Sequence, residues 1–483
     1  MKHGLTRRRF ALAGAAALSA PSWSAAAVRA DVDILRDCYE ALHPGLYRYN
    51  TPAQMAAHFA LLADELAASG PGPGRLKNDY LAFSRFAAKI RCGHTYANFF
   101  NQSAAVRHAL FEGRNRLPFE FRWLDGRMVV TRDLTDAQHL PRGSAVLAVN
   151  GVPAAALLAR LMPYARADGG NDAKRVALLE LQGLEKIETL DVFLGLLMPE
   201  LAGTVSLDLA LPDGTQKTVD APLLSFEQRM AARRIAGGDQ GGWSFDASDA
   251  KLAVLKMPDW SLYNSKWDWR AWLAECFAQL ARRPPPALVI DLRGNEGGLD
   301  VGHEILPYLV GEAVEIPAVP RLVRYRDTPL ELDAYLDTWD NSFRHWGDEA
   351  EKVDDRFYAL RPSTPGAQVI QPRAPRYRGQ VFVLIGPENS SATFQFAQLV
   401  KQLQVARLVG RPTGGNLRGI NGGAFFFVRL PATGLELDLP LIARFAPGHP
   451  PDTGVAPDIA AGLSVDDIIR GADPEMREVR SRL

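Results

Sequence analysis

The chain has 483 residues, 47% of them hydrophobic, which is enough material for more than one packed core. Lysine plus arginine balances aspartate plus glutamate at 55 each, so no basic excess marks a partner such as nucleic acid or an anionic membrane. Three cysteines, Cys38, Cys92 and Cys276, are too few for a disulfide scaffold. Cys38 and Cys92 lie in the same N-terminal segment, which leaves a pair and two buried thiols both open.

Residues 1–30 read as an export leader. Thr6-Arg7-Arg8-Arg9-Phe10 precedes the apolar run 11–20, and small residues continue to Ala30. A basic start, a short apolar stretch and small residues near a cut site define such a signal, and the arginine pair points to the twin-arginine route. The expected mature start is near Asp31, in a periplasm or outside the cell. The apolar run falls short of the ~20 residues that span a bilayer, so no stable membrane insertion is expected.

Residues 31–115 read as a mainly helical domain, with helices over 32–42, 53–68 and 80–90. Pro44-Gly45 and Pro71-Gly72-Pro73-Gly74 separate them. The segment ends in Arg91-Cys92-Gly93-His94-Thr95-Tyr96, where His94 by itself has no local signature beyond that of a structural histidine.

From residue 116 to 225 the period changes to that of strands. FEFRW and RMVVTR flank Asp125-Gly126, a hairpin signal, and Val146–Val149 leads through Asn150-Gly151 into an Ala-rich helix over 154–162. TVSLDLAL and the strand after Asp213-Gly214 complete a small β-rich module. It is similar to a PDZ-like domain, in which an extended peptide adds to a strand edge.

Residues 226–483 read as α/β. KLAVLKM is a strand, Trp269–Ala281 a helix, and ALVIDL a strand buried on both faces. ALVIDL runs into Arg293-Gly294-Asn295-Glu296-Gly297-Gly298, followed by a helix-like 301–309. The glycine spacing is not that of a dinucleotide fold, and no Lys-Ser/Thr follows for a phosphate loop. His303-Glu304 begins a zincin-like pattern, but Pro307 takes the second histidine's place, so neither a metal nor another cofactor is expected. What remains for such a turn is a pair of backbone donors facing negative charge. A second apolar strand, VFVLI, then breaks at Gly386-Pro387-Glu388-Asn389, with a helix from Ala392. Ser390 or Ser391 stands at its N-terminus. A serine there either caps the first turn or presents a nucleophilic oxygen beside donors suited to an acyl-transfer oxyanion.

DLRGNEGG, SSATFQFA, VGRPTGG and TGVAPDI, in that order, resemble the C-terminal-processing (tail-specific) serine peptidases, a group that includes tricorn core protease and retinoid-binding repeat proteins. The resemblance covers most of the chain after residue 30. It implies a crotonase-like α/β spiral core, peptide or protein substrates and no cofactor. It also implies Ser391 as nucleophile, with an oxyanion hole from the amides of Ala392 and of a glycine in the DLRGNEGG turn, Gly297 or Gly298.

The departures from the family pattern decide the branch. One branch takes a lysine base from the GxxTxGK context, where this chain has Asn416. Lys401, ten residues along the helix at ~1.5 Å each, lies too far from Ser391. The tricorn-type branch uses a histidine ahead of the PDZ-like insert, which matches His94. Its pattern has a serine where this chain has Gly93, and a glutamate where this chain has Pro451. Asp452 is the expected substitute for orienting the ring, with Glu436 and Asp438 behind it. Two readings follow: an exported serine peptidase acting through Ser391 and His94, or a ligand-binding relative that lost turnover.

Overall fold

The computed structural model describes residues 25–234, 240–316, 318–362 and 368–483. The leader motif therefore lies outside the described residues, except that Ala25–Ala30 open the first helix, Ala25–Leu42. The expected boundary at Asp31 falls inside that helix rather than at its start. Pro52–Ala68 and Arg75–Lys89 pack beside it. Thr51 caps the second helix with a reciprocal Thr51/Gln54 capping box, and Pro52 supplies a φ suited to the first turn. The rows Met55, Phe59, Leu62, Leu66 and Tyr80, Phe83, Ala87 recur at helical spacing and are buried.

Strands from Phe119 to Pro222 form a six-stranded antiparallel sheet. The hairpin Phe119–Leu124 to Arg127–Asp133 turns on Asp125 and Gly126, both at positive φ (50° and 72°), the conformation that a two-residue turn between twisted strands requires. Asn150-Gly151 makes the same turn ahead of the helix Ala154–Leu161. Two further helices, Asp172–Leu178 and Thr189–Leu197, lie between that helix and the strand Thr204–Ala210.

The second sheet places the DLRGNEGG and SSATFQFA motifs. Leu252–Lys256, Ala287–Asp291, Gln380–Ile385, Arg407–Gly410 and Ile459–Ala460 are neighbours in parallel, with Ser244–Asp246 antiparallel at one edge. Ala287–Asp291 is buried at every position and Gln380–Ile385 at all but the first, as a parallel strand covered on both faces should be. These two strands are adjacent. The DLRGNEGG and GPENSS turns therefore emerge side by side at the strands' carboxyl ends, where open α/β sheets bind ligands. The helix expected over 301–309 is only Gly302–Ile305, continued as a 3₁₀ turn over Leu306–Tyr308, because Pro307 cannot extend an α-helix.

A third sheet was not anticipated. It is antiparallel and centred on the long hairpin Gly419–Arg429 and Glu436–Phe445. Its buried face joins the N-terminal helices and the first sheet in one hydrophobic core (Tyr39, Phe86, Phe119, Leu207, Phe426, Leu439), while the parallel sheet has cores of its own. The three cysteines are all buried free thiols, so Cys38 and Cys92 do not pair. Among the described residues no helix is long and apolar enough to cross a membrane.

Candidate active site

Two buried asparagines tie the neighbouring turns together. Asn389 Nδ2 donates to the carbonyls of Leu292 (2.6 Å) and Asn295 (2.9 Å), and its Oδ1 accepts the Gly386 amide at 2.7 Å. Asn295 Nδ2 donates to Met257 O at 2.7 Å, and its Oδ1 accepts the Gly297 amide at 2.9 Å. Every one of these backbone groups is buried away from water, and for the Gly386 and Gly297 amides the asparagine side chain is the acceptor that the irregular turn does not supply.

Neither serine caps the helix Ser391–Leu403 with its side chain. Ser390 is the N-cap residue, but its hydroxyl donates to Glu296 O at 3.0 Å. Ser391 has φ 51°, a left-handed conformation that costs a non-glycine residue of order 1–3 kcal/mol and persists only where the surroundings impose it. Among the described residues the Ser391 hydroxyl has no hydrogen-bond partner. Gly297 faces it: a Cβ on Gly297 would lie 2.8 Å from Ser391 Cβ and 2.9 Å from the Ala392 amide nitrogen. Gly298, at φ 136°, passes so close to the Trp260 carbonyl that a Cβ would come within 2.3 Å. The Gly297 amide is thus spent on Asn295, whereas those of Gly298 and Ala392 have no acceptor among the described residues.

His94 is half-buried and comes to the same region from the other end of the chain. Its ring lies 5.9 Å from that of Phe425 on the long hairpin, and a Cβ on Gly422 would be 3.7 Å from its Nε2. Its Nδ1 is buried without a hydrogen-bond partner. Burial lowers the imidazole pKa below its ordinary value, and the Asp168 carboxylate partly opposes this. The His94 loop reaches the serine turn through short contacts. Arg166 Nε donates to Gly93 O at 3.0 Å, and its Nη2 pairs with Glu296 at 2.9 Å, next to Gly297. Lys174 Nζ, nearly buried, donates to Glu296 Oε1 and to the Glu388 carbonyl, both at 2.9 Å. Burial alone would raise the Glu296 pKa, but Lys174 and Arg166 outweigh it and hold it below the usual carboxylate value.

Asp452 is not brought to His94. Its Oδ1 accepts from the Gly170 amide (2.9 Å) and Asn416 Nδ2 (2.6 Å), and Oδ2 lies 3.8 Å from Arg418. Asn416 also donates to Asp168 O at 3.2 Å. Asp452 therefore secures the 168–170 loop, and the carboxylate beside the histidine is Asp168, whose Oδ1 accepts the Gly93 amide at 2.9 Å. A Cβ on Gly93 would sit 2.9 Å from Asp168 Oδ2, so glycine at this position makes room for the acid. Asp438 accepts from Asn98 and Asn101 instead, and Lys401 is paired with Asp458. Sequence spacing gave no sign of Arg166, Asp168 or Lys174. Asn295 and Asn389 were visible inside the motifs but carried no assigned role.

Among the described residues no group of three His, Cys, Asp or Glu side chains is placed to hold a metal ion. Residues 251–461 match the family model of Peptidase family S41. No curated protein matches the chain. Among solved structures, mature CPAF complexed with lactacystin is 16% identical and aligns over 95% of this chain and 97% of its own, with a TM-score of 0.63. Mature CPAF alone is similar (16%, 94% and 96%, TM-score 0.62). The photosystem II D1 C-terminal processing protease is 13% identical over 93% of this chain and 98% of its own, with a TM-score of 0.40. The CPAF likeness is one of fold and extends over nearly the whole chain.

Proposed function

With residues 251–461 a Peptidase family S41 domain and the chain a serine-type peptidase of mixed α/β fold, we propose that Ser391 is the nucleophile and His94 its general base. The observation that carries this reading is Ser391 itself: a strained residue between strand and helix, its hydroxyl unengaged, opposite a glycine turn with free amides. Neutral His94 takes the hydroxyl proton as Oγ attacks the scissile carbonyl. The amides of Gly298 and Ala392 receive the oxyanion, the latter at a helix N-terminus where the dipole favours negative charge. Gly297 belongs to this hole by leaving space for the serine, not by donating. His94 then returns the proton to the leaving amine, and water repeats the sequence on the acyl-enzyme.

Asp168 is the acid of this arrangement. Its charge stabilises the imidazolium that forms during attack, which offsets part of the burial that opposes it. This pairing accounts for both departures from the tricorn-type pattern, the glycine at 93 and the proline at 451. The lost-turnover alternative is not favoured by the family match. We further propose that the antiparallel sheet over 116–225 is PDZ-like and the parallel sheet the start of a crotonase-like core. Residues 1–30 would carry the chain out of the cytoplasm by the twin-arginine route, which Lys at Arg7 and Arg8 should block.

A serine-directed phosphonate tests the central assignment. It should label Ser391, as read by peptide mass, and Ser391→Ala should abolish labelling. A label on Ser390, or none on folded wild-type protein, would overturn it.

A further inference from the structure

A cavity of about 700 Å³, well within the size range of ligand sites, is lined by Arg91 of the His94 loop among other residues. Five arginines line it, Arg48, Arg91, Arg324, Arg356 and Arg418, against one carboxylate, Asp452. They come from distant parts of the chain, so their convergence is a product of the fold. Their charges are poorly matched within the protein. Arg48 Nη1 and Arg324 Nε are buried without hydrogen-bond partners, and so is the hydroxyl of Tyr49 on the same wall. Arg48 stacks 4.3 Å from the Phe445 ring centroid, and Arg356 lies 5.1 Å from that of Phe357. Aromatic stacking holds a guanidinium plane while leaving its N–H fork free. Burial, with Arg418 beside Arg48 and Arg356 beside Arg324, disfavours the charged form of both, as expected of cations awaiting a counter-charge.

The cavity shares a wall with the proposed catalytic site. The Gly169 amide donates to the Arg91 carbonyl at 2.9 Å, and Asp452 holds Gly170 from the cavity side. Arg91 is itself in the left-handed region at φ 60°, three residues before His94. Arg91 in the cavity lining and His94 thus belong to one short loop.

We propose that this cavity is a subsite for an acidic stretch of the peptide substrate, whose Asp or Glu side-chain carboxylates pair with the arginine forks. Planar, bidentate geometry suits carboxylates, and the volume is large for a lone inorganic anion. The inference rests on the peptidase reading only for taking the anion to be a peptide. It therefore calls for a binding measurement that does not depend on turnover.

The probe is a dye-labelled, C-terminally amidated octapeptide rich in Glu, compared by fluorescence anisotropy with its Gln counterpart on the Ser391→Ala protein. The Glu peptide should bind at least tenfold tighter than the Gln peptide and weaken as salt rises. Adding Arg356→Gln and Arg418→Gln should remove most of that difference. If the pair fails to fold, Arg356→Gln alone, on an exposed side chain, should reduce it in the same direction. Equal affinity for the Glu and Gln peptides, or an unaltered preference in the variants, overturns the proposal. Pyrophosphate binding the wild-type cavity without the Glu peptide doing so would overturn it in favour of a phosphate ligand. Failure of the Ser391 assignment would alter labelling and turnover while leaving these affinities untouched.

Discussion

At the scale of single residues, Ser391 combines its proposed role as nucleophile with a strained backbone. Glycine tolerates its φ of 51° at no steric cost, so Ser391→Gly should abolish turnover and labelling yet melt no lower than wild type, with a gain of up to about 1 kcal/mol. A clear loss of stability would mean that the serine side chain has a structural partner. As the proposed base, His94 should set the pH dependence. Burial lowers its pKa, so the neutral, proton-accepting form persists below the ordinary value of about 6.5. The acid limb of kcat/KM should accordingly fall below neutrality, and His94→Ala should remove nearly all activity. Asp168→Asn should lower kcat and move that limb to still lower pH, because the carboxylate favours the protonated ring. An acid that only shaped the loop would lower activity without shifting the limb.

At the scale of elements, the site depends on two turns held in register by side chains. Asn389→Ala would leave the buried Gly386 amide without its acceptor, while the Leu292 and Asn295 carbonyls keep the Asn295 amide and the Thr393 hydroxyl as donors, so cooperative unfolding should shift by roughly 1–3 kcal/mol. Gly298→Ala should cost activity at least as heavily as loss of one oxyanion donor, about 10²–10³-fold in kcat, because its Cβ meets the Trp260 carbonyl. The hairpin at Asp125-Gly126 was legible in the sequence because a left-handed two-residue turn demands such residues, and the two buried strands because both their faces are apolar. The strand–turn–helix around Ser391 was legible for the same local reasons. Asp168 and Lys174 were not, since their importance lies in contacts with Gly93 and Glu296 that no local period encodes. Asp452 sits beside the expected motif, yet it reaches the histidine only through Asn416 and the 168–170 loop.

At the scale of the molecule, the helix Ala25–Leu42 is fastened to the long hairpin. Asp31 Oδ1 accepts the Ala432 amide at 3.0 Å, and Oδ2 accepts both the amide and the hydroxyl of Thr433 at 2.8 Å. Asp31→Ala should cost on the order of 2–4 kcal/mol by leaving those buried donors unpaired, read in a denaturant titration. Arg122, from the first sheet, pairs with Glu180 and Glu388 at 2.7 and 3.3 Å, so the antiparallel sheet also braces the turn ahead of Ser391.

The long hairpin gives this architecture an order in time. Gly422 and Phe425 wall in His94, a residue made early, and both follow Ser391 in the chain. A nascent polypeptide therefore carries its imidazole long before it carries either Ser391 or the hairpin that encloses the ring. With Ser391 and His94 in the proposed roles, hydrolytic competence would arrive only after the hairpin ending at Phe445 has been made, and a copy not yet extended that far would be inactive.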